Sequence, residues 1–325
     1  MPRLFSCAAA ICLLLTGVCP ATAAESSASN AVAARVDGQP VRYGRIQREV
    51  QDTLKGRPAP PEEMRLLEAQ ALEQFIGRRL VLRYLAGQKL AASEVDIRLS
   101  LEQVKKKLKT QETTLADYLS RAGLQEDEFR EAIAWELSWQ AYLEQHMTDA
   151  NLQKFFEQHR RDFDGTQLNV AHILWKVDPQ AGPDAWEAAT KQATAVRAQI
   201  TQEQVPFAQA ALQNSQAPTA RQGGNLGLIS RHEPMPESFS QAAFQLQPGE
   251  TSPPVTTAFG VHLIYCQRVQ PGQRSWTDAR PELETAVMRF LFDFVVKLQR
   301  PHSQVEYTGA APHFDPTSGK LVPAQ

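Results

Sequence analysis

The sequence predicts an α+β chain in which helices from both ends form one module and a small α/β domain is inserted between them. Three observations predict this. Apolar residues recur at helical spacing from about residue 43 to 161 and again from 277 to 300. Two β-rich runs, Asn169–Trp175 and Thr257–Tyr265, each carry one histidine and are separated by turn-forming segments. Short β-prone stretches near Val36 and Val305 lie outside the helices and can pair, which closes the helical module on itself. The expected divisions are a leader over 1–24, an N-terminal helical part over 25–164, the α/β domain over 165–270, a C-terminal helix and strand over 271–308 packing on the N-terminal part, and a disordered tail over 309–325.

At 325 residues, with 42% hydrophobic and 22% charged residues, the chain can hold two domains and bury a sizeable core. A net charge of -2 argues against nucleic acid as a partner, since that usually needs a basic footprint. The first residues read as an export leader. Arg3 is followed by an apolar run, Leu4 to Val18, of about 15 residues, shorter than the ~20 a membrane helix needs, and then by Ala21-Thr22-Ala23, a small-residue cleavage site. A lipoprotein signal ending at Cys19 is disfavoured because Val18 is bulky for the position before it. With no later span, the chain is expected outside the cytoplasm, periplasmic or otherwise extracytoplasmic. Cys7, Cys12 and Cys19 leave with the leader, so Cys266 remains without an intramolecular partner, a buried thiol in an apolar strand.

In order, Ala33–Val36 and Pro40-Val41 flank the turn Asp37-Gly38. A helix starts at Tyr43, and Pro58–Pro61 ends it and opens a second, with Leu72, Phe75, Ile76 and Leu80 on one face. Ser93 is the N-cap of a helix through Leu108, whose Lys105, Lys106, Lys107 and Lys109 read as a solvated face. A short helix from Leu115 stops at Gly123. The next begins in Glu126-Asp127-Glu128, with Phe129, Ile133 and Leu137 on one face and Trp135 and Trp139 on another, more readily core than a partner surface. Thr148 or Asp149 caps a helix to about Arg161. Beyond Pro271-Gly272, Thr277 is the expected cap of a helix striped by Leu283, Val287, Phe290, Leu291, Phe294 and Leu298, too apolar to stand alone.

The motifs between the histidine strands are Ser215–Ala220, Gly223-Gly224-Asn225-Leu226-Gly227, Met235 with Phe239 four residues on, and Pro248-Gly249-Glu250. The glycine segment is not a phosphate loop, since no Lys-Ser/Thr follows and no strand leads into it. One strand histidine is ordinarily a core residue, and Met235 with Phe239 is an ordinary core pair. This ordered set, covering about a third of the chain, resembles the parvulin family of peptidyl-prolyl isomerases. The helical layout around it is similar, by pattern and order, to the extracytoplasmic parvulin chaperones of the SurA and PrsA type.

The resemblance implies that His172 and His262 sit together under the substrate with linked imidazoles and that Thr257 supplies a hydroxyl beside them. It implies an apolar proline pocket from Leu226, Met235 and Phe239. Where the family carries a cysteine or aspartate before the Gly-Gly segment, this chain has Ala217, which cannot ionise, with Gln216 or Ser215 as weak substitutes; the expected isomerase rate is lowered more than binding. Phe259, in place of a serine found in some members, suits apolar peptides, and Gln216 is counted with it as a substrate contact. Arg231 alone makes no phosphate-gripping cluster, and His232 reads as a solvated loop residue. The function implied is an exported isomerase and folding chaperone for unfolded or proline-containing polypeptides, with no metal, no small-molecule cofactor, no nucleic acid and no integral membrane segment after leader removal. The alternative is a proline-peptide binding module within a chaperone dedicated to one secretion or polysaccharide system.

Overall fold

The computed structural model describes residues 30–178 and 181–324, so the expected leader and its three cysteines lie outside the described residues. The chain divides into two compact units. One gathers the described residues of 1–148 with those of 288–325, and the other is 149–287.

The first unit opens with β1 (Val32–Val36) and β2 (Gln39–Arg42), antiparallel about the Asp37-Gly38 turn. Then come α1 (Tyr43–Leu54), α2 (Pro61–Gly87), α3 (Glu94–Thr110), α4 (Leu115–Ala122) and α5 (Glu126–His146). Pro61 starts α2 where its missing N–H costs nothing. Ser93 and Thr114 cap α3 and α4 through reciprocal bonds with Asp96 and Asp117. The apolar stripe of α2, Leu72, Phe75, Ile76 and Leu80, is buried against β1, α1 and Ala311. A second cluster joins Ile97, Leu101, Val104 and Leu108 of α3 to Phe129 and Ile133 of α5.

The chain end completes this unit. Helix α11 (Arg280–Gln299) lays Phe292 and Val296 on Gly77 of α2, and Phe292 sits edge-on to the stacked Trp135 and Trp139. The tryptophans are therefore core. Strand β7 (Val305–Tyr307) pairs with β1 in the register Val36↔Val305. Tyr307 and Arg300 both bond Glu73 of α2, at 2.5 and 2.8 Å.

Three expectations need correction. The tail is ordered: β8 (His313–Phe314) and β9 (Leu321–Val322) form a hairpin whose turn is held by Asp315 Oδ1, which accepts the N–H groups of Thr317 and Ser318. Ala311 is buried and His313 stacks on Tyr307, so the segment is anchored. The stripe of α11 splits: Leu283, Val287, Leu291 and Val295 are buried, whereas Phe290, Phe294 and Leu298 are about half exposed. Ser275, not Thr277, makes the reciprocal cap ahead of α11, through Asp278.

The second unit begins earlier and ends later than the expected 165 and 270. Helices α6 (Asp149–Gln158) and α7 (Arg160–Phe163) are tied to it by Arg231–Asp162, Arg280–Asp149 and the Asp164 carbonyl, which accepts the Arg274 N–H. Its centre is a four-stranded antiparallel sheet in the order β4 (Asn225–Ser230), β3 (Gln167–Lys176), β6 (Gly260–Gln270), β5 (Val255–Thr257). Alternation along β3 and β6 gives two faces. Ala171, Ile173, Trp175, Val261 and Leu263 pack on α8 (Pro183–Thr201) and α9 (Phe207–Asn214). Leu168, Val170, Ile264 and Cys266 pack on α10 (Glu237–Phe244). Cys266 is buried, and burial pushes its thiol up, as befits an inert core thiol. Among the described residues no helix is long and apolar enough to cross a membrane.

A Cβ on Gly77 would lie 2.7 Å from Phe292 Cζ and 3.3 Å from Val296. We expect Gly77→Val to lower the urea midpoint of the full chain by the equivalent of about 1–3 kcal/mol, despite the better helix propensity of valine. Adding Phe292→Leu should restore part of the loss. An unchanged midpoint for Gly77→Val would show that α2 and α11 are not in close packing there.

Candidate active site

Strands β3 and β6 place two histidines on one face. Ile264 lies opposite His172 and Leu174 opposite His262, so the histidines are diagonal neighbours across the strand pair. Their Nδ1 atoms are 3.2 Å apart and the rings are near-parallel. Thr257, at the end of β5, puts its hydroxyl 2.8 Å from His262 Nε2, and the same oxygen accepts the Phe259 N–H at 3.1 Å. Phe239 on α10 stands edge-on to both imidazoles, with centroids at 5.9 and 5.4 Å. Exposure is 6% for His172, 3% for His262 and 7% for Thr257, so all three are buried.

Hydrogen-bond bookkeeping leaves two proton arrangements. One of two facing Nδ1 atoms must carry a hydrogen and the other must not. If Thr257 donates to His262 Nε2, then His262 Nδ1–H donates to His172 Nδ1, and His172 holds its proton on Nε2. The reverse chain would leave the buried Thr257 hydroxyl proton with no acceptor, a cost of about 1–3 kcal/mol. The first arrangement leaves over the His172 Nε2–H instead, and it is the one we put to test. Burial pushes both imidazoles down to about 4, with the charge of His172 adding to the effect on His262. The site at neutral pH is an uncharged, hydrogen-bonded pair.

Two glycines let the backbone reach this arrangement. Gly224 has φ +80 and its carbonyl accepts the His172 N–H; a Cβ there would run into the His172 carbonyl. Gly260 has φ +132 and would likewise meet the Trp175 carbonyl. The Gly-Gly and Phe-Gly pairs signal these contacts in the sequence, but the partner atoms are not readable there.

The other candidate residues divide. Leu226 and Met235 are half-buried and pack against the cluster that contains Phe239. Phe239 itself is 0% exposed, so it backs the imidazoles instead of lining a pocket, which corrects its expected role. Phe259 is 63% exposed and joined to the site only through its backbone N–H to Thr257. Gln216 does not face the imidazoles through any bond. It docks on the free edge of β3, its N–H on the Leu174 carbonyl at 2.8 Å and its Oε1 accepting the Lys176 N–H at 2.7 Å. It also borders a separate pocket of about 260 Å³ with Trp175, Asp178 and Ala181. Sequence reasoning gave Ser215 only as a weak stand-in; its Oγ accepts the N–H groups of Leu174 and Ala217 and so seats Ala217, which is buried. Arg231 is tied up by Asp162 and by both oxygens of Glu237, and His232 is exposed.

This sheet, with its paired histidines and helices on both faces, is that of a known domain class. Residues 172–268 match the family model of the PPIC-type PPIase domain, the rotamase model, and residues 4–143 match the SurA-like N-terminal domain. The chain thus joins a parvulin-type PPIase domain to a SurA-like N-terminal domain. Among curated relatives, the chaperone SurA of Cupriavidus metallidurans is 40% identical over 146 residues, 43% of this chain and 28% of that protein. The chaperone SurA of Aromatoleum aromaticum is 27% identical over 251 residues, 72% of this chain and 55% of that protein. The chain spans just over half, or less, of the length of these two relatives. Among solved structures, the peptidylprolyl isomerase PrsA from Bacillus anthracis is 19% identical with a TM-score of 0.37, covering 71% of this chain and 96% of that one.

The proton assignment is open to test by nitrogen-15 NMR of the full chain. At pH 7 we expect His172 as the Nε2–H tautomer and His262 as the Nδ1–H tautomer, and Thr257→Val to abolish the preference. Both rings should stay neutral until about pH 4. Because these folded values lie below the unfolded value of ~6.5, stability is full above about pH 6.5 and is lost as pH falls toward 4. A ring titrating near 6.5 in the folded chain would contradict the geometry.

Proposed function

We propose that this chain is an exported peptidyl-prolyl cis-trans isomerase that also serves as a folding chaperone, acting on unfolded or exported polypeptides with apolar X-Pro segments. The observation that carries the reading is the neutral His172–His262–Thr257 network beside half-buried Leu226 and Met235, in a domain matching the PPIC-type PPIase model. The extracytoplasmic location rests on the leader-like residues 1–24. The helical unit, with its match to the SurA-like N-terminal domain, is read as the part that holds clients.

Rotation about an X-Pro bond breaks no covalent bond and requires no redox or metal chemistry. The barrier of ~18–20 kcal/mol comes from lost amide resonance in the twisted state. A site lowers it by binding the twisted imide better than the planar one. Leu226 and Met235 are the proposed apolar wall for the proline ring, which strips water from an imide that water holds planar. Uncharged imidazoles suit this wall, since a charged pair would draw solvent in. Thr257 and His262 hold His172 in one orientation with its Nε2–H available as a donor. Phe259 is the proposed rim contact for an apolar neighbour of the proline.

Ala217 supports a second reading, in which the domain binds proline peptides without turning them over, within a chaperone dedicated to one secretion or polysaccharide system. The site then offers no charge to the twisting imide. A protease-coupled assay on a Leu-Pro tetrapeptide separates the two. The isomerase reading expects a rate above the uncatalysed one, abolished by His262→Ala with binding of the peptide retained. Ala217→Cys should raise kcat/KM by roughly tenfold, about 1.4 kcal/mol of barrier. A wild-type rate equal to background, with the peptide still bound, would establish the binder instead.

A further inference from the structure

The first unit holds a basic pocket that neither the proline site nor the apolar core uses. It has a volume of about 260 Å³ and is lined by Arg42, Arg45, Arg48, Leu119, Leu124 and Glu128. Arg42 immediately precedes α1, and Arg45 and Arg48 follow at steps of three, so one helix face delivers three guanidiniums. The carboxylates around them are shared. Glu128, 4% exposed, meets Arg42 at 3.4 Å and Arg48 at 3.3 Å. Its Oε2 is further engaged by the Gln125 N–H at the start of α5. Glu131 meets Arg45 at 3.3 Å but is held from the other side by both arms of Arg79. Asp127, largely exposed, serves Arg42 alone.

Donors therefore outnumber acceptors. Arg45 Nη1 is buried and meets Glu131 Oε2 as an ion pair at 3.3 Å without hydrogen-bond geometry, and Arg48 donates to Glu128 through Nη2. Burial and the neighbouring charge of Arg45 hold the Arg48 guanidinium below its usual range, partly offset by Glu128 and, at longer reach, Asp52. Arg48 and Arg42 are about a quarter exposed, so a solute can reach them.

We propose that this pocket binds a carboxylate of a polypeptide segment, either an acidic side chain or a chain terminus. A guanidinium fork matches a planar carboxylate by paired N–H bonds. Leu119 and Leu124 give the pocket an apolar wall for the aliphatic part of the residue that carries it. With Glu128 and Asp127 each offsetting one guanidinium and Glu131 shared with Arg79, about one positive charge is left for a carboxylate, whereas a doubly charged phosphate would exceed it and be pressed against Glu128. The site goes beyond the isomerase reading and stands whether or not the second unit turns proline peptides over.

The test follows the arginine Nε–H signals of the full chain by NMR while three peptides are added in turn: acetyl-Leu-Glu-Leu-amide, acetyl-Leu-Leu with a free carboxyl end, and acetyl-Leu-Gln-Leu-amide. The Arg48 signal is expected to move saturably with a carboxylate peptide and not with the glutamine peptide. Comparison of the first two identifies which source is preferred. Arg48→Gln should weaken binding about tenfold while circular dichroism stays unchanged. Equal responses to the glutamate and glutamine peptides, with none to the free-carboxyl peptide, overturn the proposal. So does undiminished affinity in a folded Arg48→Gln, or tighter binding of inorganic phosphate than of either carboxylate peptide. Should Arg48→Gln fail to fold, the peptide comparison on the unaltered chain decides alone.

Discussion

The antiparallel register of β3 against β6 decides what the second unit can do. With Ile264 opposite His172 and Leu174 opposite His262, two imidazoles fall on one face within hydrogen-bonding distance, and the apolar residues of the other face meet α8 and α9. A slip by one residue would send each histidine into that opposite core and bring Ile173 and Leu263 to the site. The register is therefore enforced by the core that it builds. Neutral imidazoles are cheap to keep at such a junction. The chain Phe259 N–H, Thr257, His262, His172 engages both ring nitrogens of His262 and Nδ1 of His172 with protein groups.

The strand edges show the same economy of means. Beyond Ala171, β4 no longer flanks β3, and its exposed N–H groups would invite another strand. Instead Ser215 takes the Leu174 N–H, and Gln216 both donates to Leu174 and accepts from Lys176, acting as a one-residue strand. On the far side, Ser252 does likewise with Ile264 of β6. The loop that carries Ala217 is thus fixed by groups that cap the sheet edge.

Much of this was legible in the sequence. Period and caps marked the helices, since Ser93, Gly123 and Pro61 act locally. The pairing of Val36 with Val305 was readable because each lies in a short β-prone run next to a helix that needs a partner. The failures share one cause, that apolar or polar character says nothing of direction. Leu283 and Phe290 belong to one apolar helix, and only the neighbours decide that the first is buried and the second half exposed. Phe239 reads the same whether it lines a pocket or supports one. The tail looked disordered by composition, yet one buried alanine, one stacked histidine and the Asp315 turn suffice to order it. Gln216 carries no local mark of its role, because its partners are backbone atoms of a strand 40 residues away.

If the proposed isomerase reading holds, the residue that separates turnover from mere binding is the one with least chemistry, Ala217. Interactions that hold planar and twisted imides equally well tighten binding and leave the turnover rate unchanged. On the proposed reading Leu226 and Met235 would grip a proline ring, which keeps its shape as the bond rotates; they would favour the twisted state only so far as they exclude the water that stabilises the planar one. The His172 Nε2–H is directional and can follow the carbonyl as it turns. Ala217 adds nothing directional. On the proposed isomerase reading, catalysis would therefore lean on desolvation and on a single oriented donor, and the hydrogen bond between Thr257 and His262 would be the contact that keeps that donor aimed.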